Sequence, residues 1–525
     1  MNKEVGVINP TLPDYDDSFG EKPTHPDPNS HPSEVLSKKV FERYINKIAI
    51  SGFGFTLQCG WEGVALTFQF AWLNGGPAAI VYGAVIAGIG STLVAIALGE
   101  MASIDPTVGA QYRWSARFAS RAPAFWGYMQ GWITVIAWVC NCVAAMSVIT
   151  NALSGLIIFN NPTYEPKGWH ATLFLIALLI ITVLLNFALR HVINRLEVIG
   201  GIYHIALFIA IITTLTRLAK RSTPEFVFKT LHADSGWDNP GIAFSIGMLS
   251  TAYPISSFDG VLHMIDETKE PRKQVPRAMF FATSSNALMQ FAFCICLMFC
   301  IGDEEAVSKS ILPIAEVFYS ATGSKATSTA MVLMIAVMAQ ISNINVFASV
   351  SRLVWAFACD KGIPFHQYFT YASLNFFSNI HPTLQVPLPA LVLVGTVCCL
   401  LSLINLGSAT AFNALIALPT IALYISYIVP ISLLTLRQLA GRHPRYGPWE
   451  LGRWSIPIKI CSLVYLIYVT IFVPFPTSRP VTSLTMNYAA PIFIGAFLIA
   501  LGDWFMRGRK NFDIPTVALD QEVGN

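Results

Sequence analysis

The chain has 525 residues, 54% of them hydrophobic and only 12% charged, and its mean hydropathy is +0.55. That charge fraction is about half the usual value for a soluble protein. A net charge of +3 supplies no basic field for a nucleic-acid partner.

Residues 1–44 read as a disordered tail, with Pro10, Pro13, Pro23, Pro26, Pro28 and Pro32 set among Asp, Ser and Asn. No secretory signal is expected, because the tail opens polar and acidic and the first apolar window is too long for a signal core. Between residues 45 and 507 lie twelve apolar windows of spanning length, about 20 residues each. They fall near 48–72, 78–99, 125–158, 171–189, 198–216, 242–265, 278–301, 328–350, 388–404, 409–436, 456–475 and 488–506. Twelve such windows leave little room for a large soluble core. The third is long enough for a strongly tilted span or one extended past the bilayer. Residues 508–525 form a second short polar tail, and neither tail could hold a catalytic domain.

With twelve spans both tails share one side. That side collects 25 of the Lys and Arg residues and the other side 8, so the excess of basic loops places the tails in the cytoplasm. One external stretch, Arg217 to Lys229, runs against the trend and is diluted by Glu225, Asp234 and Asp238.

Two of the windows are interrupted by flexible polar residues. The first contains Ser51-Gly52-Phe53-Gly54-Phe55-Thr56-Leu57-Gln58-Cys59-Gly60-Trp61-Glu62-Gly63, the sixth Ser250-Thr251-Ala252-Tyr253-Pro254-Ile255-Ser256-Ser257-Phe258-Asp259-Gly260. A helix in lipid must satisfy its backbone internally, so unwound stretches survive only against protein or a water-filled cavity. Broken helices at matching places in two halves mark the midplane binding site of many secondary transporters. Windows 1–5 and 6–10 each open with such a break, which predicts a five-plus-five inverted repeat and two accessory spans. In window 2, Gly83 with Ala87 and Ala84 with Gly88 are spaced for close helix packing.

Nine of the ten cysteines lie within apolar windows and Cys359 at a cytoplasmic end, so no structural disulfide is expected. The chain carries no Cys-x-x-Cys, Gly-x-Ser-x-Gly, His-Glu-x-x-His or Gly-x4-Gly-Lys motif. Neither an enzyme nor a nucleotide-driven pump is indicated, and no cofactor or metal is expected.

Three further stretches carry a resemblance. Glu100–Trp114 (EMASIDPTVGAQYRW) follows window 2, Asp259–Pro276 (DGVLHMIDETKEPRKQVP) leaves window 6, and Ser351–Pro364 (SRLVWAFACDKGIP) leaves window 8. With Ala411–Ile416, they make residues 45–505 resemble the amino acid–polyamine–organocation transporters, nearest the fungal amino acid/choline subfamily with its choline, GABA and polyamine permeases. The resemblance implies an all-α membrane protein of LeuT-like fold, with ligand between spans 1 and 6 and spans 3, 8 and 10 as walls. It implies unwound backbone near Phe55–Gly60 as a carboxylate site, Tyr253 as a gating aromatic, Phe347 as a second one, and Asp259 as a proton-handling position. A Gly-Ser-Gly common in span 1 of that family is replaced here by about Phe55-Thr56-Leu57, a departure from α-amino-acid binding.

The candidate substrate residues are therefore Thr56, Leu57, Gln58, Cys59, Trp61, Glu62, Trp138, Asn141, Tyr253, Ser256, Ser257, Phe258 and Phe347, with Asp259 and His204 as coupling groups. Carboxylates within spans are expensive and commonly functional. Glu62 faces the cavity if the helix resumes at Trp61. His204 reads equally as a proton relay or as a satisfied buried imidazole. Trp138, Asn141, Asn343 and Asn345 suit either cavity walls or interhelical bonds. Glu100, Arg113 and Arg352 read as inner-gate or anchoring groups. Trp61, Tyr253 and Phe258, with Trp138 and Phe347, form an expected aromatic enclosure for a cation, worth about 2 kcal/mol or more when desolvated, with Glu62 as counter-charge. The expectation is a proton-coupled importer of a small cationic or zwitterionic amine, choline foremost, in the plasma membrane. GABA, polyamine or amino acid transport is the near alternative, and a transporter-like nutrient sensor the distant one.

Overall fold

The computed structural model describes residues 43–232, 234–366, 386–483 and 485–514, and every long element among them is helical. Most of the expected tail 1–44 and residues 515–525 lie outside that range. The span-length helices are α3 (Gly76–Ile104), α5 (Pro123–Asn160), α6 (Gly168–Leu218), α8 (Pro271–Phe299), α9 (Lys325–Cys359), α10 (Leu388–Gly407), α11 (Ala409–Leu439), α12 (Ser455–Phe472) and α13 (Ala489–Asp503). Among the described residues ten stretches are long and apolar enough to cross a membrane, two of them within α6. The two remaining windows are the interrupted ones, each divided by its break into shorter pieces. Window 1 is α1 (Lys47–Gln58) and α2 (Gly60–Thr67), completed by a short turn to Leu73. Window 6 begins as α7 (Pro240–Gly247) and ends as a 3-10 segment, Ser257–Glu267. With the ten, these two broken windows make up the twelve expected crossings among the described residues.

Windows 4 and 5, expected as separate spans, are both carried by α6, as Gly168–Phe187 and Val192–Leu218. The contacts of the two pieces reverse. Those of the first half advance along α9 from Thr182, against Gln340 and Asn343, to Asn186, against the Ile344 carbonyl. Those of the second half return from Glu197, against Asn345, to Tyr203, against the Met334 carbonyl. The halves thus act as two antiparallel spans. α5 is 38 residues long, about 57 Å, and outruns the hydrocarbon layer as its window suggested. The small residues of α3 serve packing: a side chain added at Gly88 would lie 3.0 Å from Ala287 of α8.

The two described chain ends lie on one face, the tail side. Ile45 exchanges backbone bonds with Glu267 and Lys269, each 3.0 Å, and the Asp513 amide donates to Asp360. Buried ion pairs cross this face. Arg352 Nε meets Glu267 Oε1 at 2.8 Å, with Tyr44 donating to the same carboxylate. Arg113 meets Asp360 at 3.0 Å beside the Tyr112 hydroxyl. Glu100 pairs with Lys459 of α12, tying the accessory pair of helices to α3. Removing one partner of so buried a pair costs about 3–5 kcal/mol, because the other charge is stranded.

Candidate functional site

The first break is one residue long. Cys59 takes the left-handed conformation (φ 51°, ψ 46°), and the helix resumes at Gly60. The expected unwound stretch Phe55–Gly60 is therefore corrected: Phe55 to Gln58 are helical. The amides and carbonyls freed by the break find side chains. Asn286 of α8 accepts from the Gly60 amide at 3.2 Å and donates to the Phe55 carbonyl at 3.0 Å. Ser342 of α9 donates to the Leu57 carbonyl at 2.5 Å.

The second break is longer. Pro254 has no amide to give, and after Ser256 the chain winds as an 11-residue 3-10 segment. Such runs seldom exceed three or four residues and mark hinges. Hydroxyls carry this backbone: Tyr424 donates to the Ala252 carbonyl, Tyr427 to Ser256 and Ser349 to Gly260. The breaks also bind each other, for Gln58 Nε2 donates to the Ile255 carbonyl at 2.9 Å. Gly63 makes the approach possible, since a Cβ there would sit 2.6 Å from Pro254.

Between them lies a cavity of about 60 Å3, several times the ~10–15 Å3 that one water needs. Leu57, Gln58, Cys59, Asn141, Tyr253, Pro254, Ser257, Ser342 and Val346 surround its inner end. Leu66, Thr67, Val148 and Ala339 continue the lining away from the tail side. Tyr253 donates its hydroxyl to Asn141 Oδ1 at 3.1 Å, and Asn141 Nδ2 reaches Ser257 at 3.4 Å.

Six of the expected substrate residues thus come together: Leu57, Gln58, Cys59, Asn141, Tyr253 and Ser257. The others stand apart, each for a geometric reason. Thr56 turns to Glu197, donating at 2.6 Å. Because α2 starts at Gly60, Trp61 packs among Phe208, Phe293 and His204, and Glu62 lies 2.5 Å from His204 Nδ1. The counter-charge expected of Glu62 is spent on His204, and neither residue lines the cavity. Ser256 donates to the Tyr253 carbonyl, Phe258 stacks on Tyr427, and Phe347 is fully enclosed in the core. Trp138 donates to Asp259. Of the five-ring enclosure, one ring, Tyr253, lines the cavity.

Asp259 sits on the tail side of this chamber. Tyr427 donates to Oδ1 at 2.5 Å, Gln111 and Trp138 to Oδ2 at 2.6 and 3.0 Å. His263 Nδ1 donates to the Val108 carbonyl, which leaves Nε2 facing Asp259 Oδ2 at 4.0 Å. Four segments, from α4 (Ala110–Phe118), α5, α11 and the 3-10 run, are joined through one carboxylate. A carboxylate held by neutral donors can change its charge without abandoning a cation.

Sequence reasoning missed Gln111, Tyr427, Ser342, Asn286 and Glu197. The first four belong to apolar windows or loops and matter only through partners more than 100 residues away. Glu197 was hidden at a window edge, where an acidic residue reads as loop; its full burial appears only in the fold.

A family model described as amino acid permease matches residues 49–498. This chain belongs to the amino acid permease family. Within the amino acid–polyamine–organocation superfamily, the permease is similar to a Macrophomina phaseolina protein named as an amino acid/polyamine transporter. Their identity is 31% over 448 residues, covering 84% of this chain and 96% of that one. It is 29% identical over 487 residues to a choline transporter of Saccharomyces cerevisiae, covering 91% and 83%. A polyamine transporter of the same yeast is 28% identical over 92% of this chain and 77% of its own. The permease is an all-α, multi-pass membrane transporter, not an enzyme.

Proposed function

We propose that the permease is a secondary active transporter importing a small organic amine, choline foremost, by alternating access around the two broken helices. The observation that carries this reading is the junction of the breaks: Gln58 binds Ile255 across a cavity of small-solute size. Tyr253 offers a ring face to an ammonium group, and no Lys, Arg or His lines the cavity among the described residues. The choline and polyamine transporters among its relatives support an amine. The lining extends away from the tail side, while the buried ion pairs cross that side, which fits import into a cytoplasm that holds the tails at the plasma membrane.

A second reading has its own support. No Asp or Glu lines the cavity among the described residues, so a zwitterion such as GABA or an amino acid meets no repulsion there. Purified permease in lipid vesicles, offered radiolabelled choline, GABA, spermidine and neutral amino acids in turn, separates the two. Uptake of choline alone supports the first; GABA or amino acid uptake with choline ignored overturns it.

The driving ion in this reading is the proton, with Asp259 changing charge as the tail-side segments part. His204 is less suited to that role, because Glu62 already occupies it. Uptake is expected to rise as external pH falls and to collapse with a protonophore. Sodium dependence without a pH effect would remove the proton.

A further inference from the structure

We propose that Glu197 is a second proton-binding carboxylate of the transport cycle, seated where α1, α6 and α9 meet behind the cavity wall; the proposal rests on the reading of the permease as a proton-driven transporter. Glu197 is fully buried. Its Oε2 accepts from the Thr56 hydroxyl at 2.6 Å and from Asn345 Nδ2 at 3.2 Å, and Asn345 also donates to Thr56 at 2.9 Å. Among the described residues its Oε1 has no hydrogen-bond partner, and neither has the Asn345 Oδ1.

Among the described residues no cation compensates this carboxylate. On α1 the one charged residue, Lys47, is exposed at the far end. On α9, Lys325 lies at the opposite terminus, and Arg352, about 10 Å along the helix from Asn345, is held by Glu267. On α6 itself Arg195 is exposed and His204 is paired with Glu62. The other fully buried side-chain carboxylates named above, Glu62, Glu100, Glu267 and Asp360, each have a basic partner, and Asp259 has three donors. An ionised carboxylate with two neutral donors and one empty oxygen is expensive at membrane depth. A proton on Oε1 removes that cost: water delivers it, an O–H bond forms and the carboxylate becomes a neutral acid; release to water reverses the step.

The position couples the charge to the substrate. Thr56 and Asn345 bind Glu197, while their neighbours Leu57 and Val346 line the cavity. Gly52 brings α1 against α6 so closely that a Cβ there would lie 3.1 Å from the Glu197 carbonyl oxygen. A charge appearing at Glu197 therefore acts on both walls through adjacent residues.

Infrared difference spectra of the reconstituted permease between pH 5 and pH 8 read the carboxyl group directly, without transport. A protonated-carboxyl band that titrates in the wild type, is missing in Glu197→Gln and shifts in Thr56→Val, which keeps the carboxylate but removes a donor, supports the site. Identical spectra for wild type and Glu197→Gln overturn it, as does loss of the band on adding sodium. In vesicles, with choline as probe, Glu197→Gln should lose at least tenfold of uptake driven by a pH gradient yet retain choline exchange. Gradient-driven uptake equal to wild type overturns the coupling role. A wild type indifferent to the gradient overturns the proton-driven reading instead, so the two failures are distinct.

Discussion

The two breaks solve one problem by different means. At Cys59 a single left-handed residue interrupts the helix, and the amide of Asn286 mends both sides of the gap. Around Tyr253 the chain leaves α geometry and from Ser257 winds as a 3-10 run, and the carbonyls of Ala252, Ser256 and Gly260 rely on hydroxyls of α9 and α11. The first is a point hinge with fixed ends. The second is a ribbon whose satisfaction depends on neighbouring helices staying in place, and it carries Asp259. The shorter break is thus pinned by one side chain of span 7, from the other half of the expected repeat, and the longer one rests on several neighbours.

Substitutions can break that contrast. The largest effect is expected from Asn286→Leu, which strands two buried backbone groups. At about 1–3 kcal/mol each the loss is roughly 2–6 kcal/mol, and thermal unfolding of purified protein would read it as a marked fall in midpoint. An unchanged midpoint would mean that the first break is not pinned by this amide.

Tyr427→Phe comes next. It removes one donor from Asp259 and one from the Ser256 carbonyl, worth about 1–3 kcal/mol. Because the loss falls on the ribbon, transport rate should suffer more than thermal stability. Equal loss of both would assign Tyr427 to packing alone.

Tyr253→Ala should weaken substrate affinity by roughly 10- to 100-fold, about 1.4–2.8 kcal/mol, with normal abundance at the membrane. Equilibrium binding of the transported amine would measure it, and wild-type affinity would remove Tyr253 from the site. The smallest effect on binding belongs to Glu62→Gln. Its carboxylate meets His204 and not the cavity, so affinity should change less than about twofold, under 0.5 kcal/mol, while stability falls. A large selective loss of cation binding would restore Glu62 as a counter-charge.

Much of this was legible in the chain itself. Twelve spans follow from hydropathy because lipid leaves the backbone few alternatives. The two breaks follow from Gly, Ser and Pro at positions a continuous helix would not choose, and Asp259 stood out as a charge inside a span. The direction of side chains beyond a break did not follow. One left-handed residue resets the phase of the next helix, so Trp61 and Glu62, next to the break in sequence, turn outward to α6 and α8. Helical periodicity cannot be carried across such a point. The expected aromatic enclosure failed for this reason, as Phe258, Trp138 and Phe347 were placed by proximity to breaks and by family position.

Sequence by itself determined the class, the expected crossings and the places of the two breaks, and it marked Glu62 and Asp259 as acids within spans. Tertiary structure alone decided which acids are paired. Glu62, Glu100 and Glu267 meet His204, Lys459 and Arg352 across separations of 85 residues or more, whereas Asp259 and Glu197 meet only neutral donors at hydrogen-bond distance. The physical reason is that a charge in lipid is defined by its partner, and partners here are brought together by packing of distant helices, which no local pattern encodes.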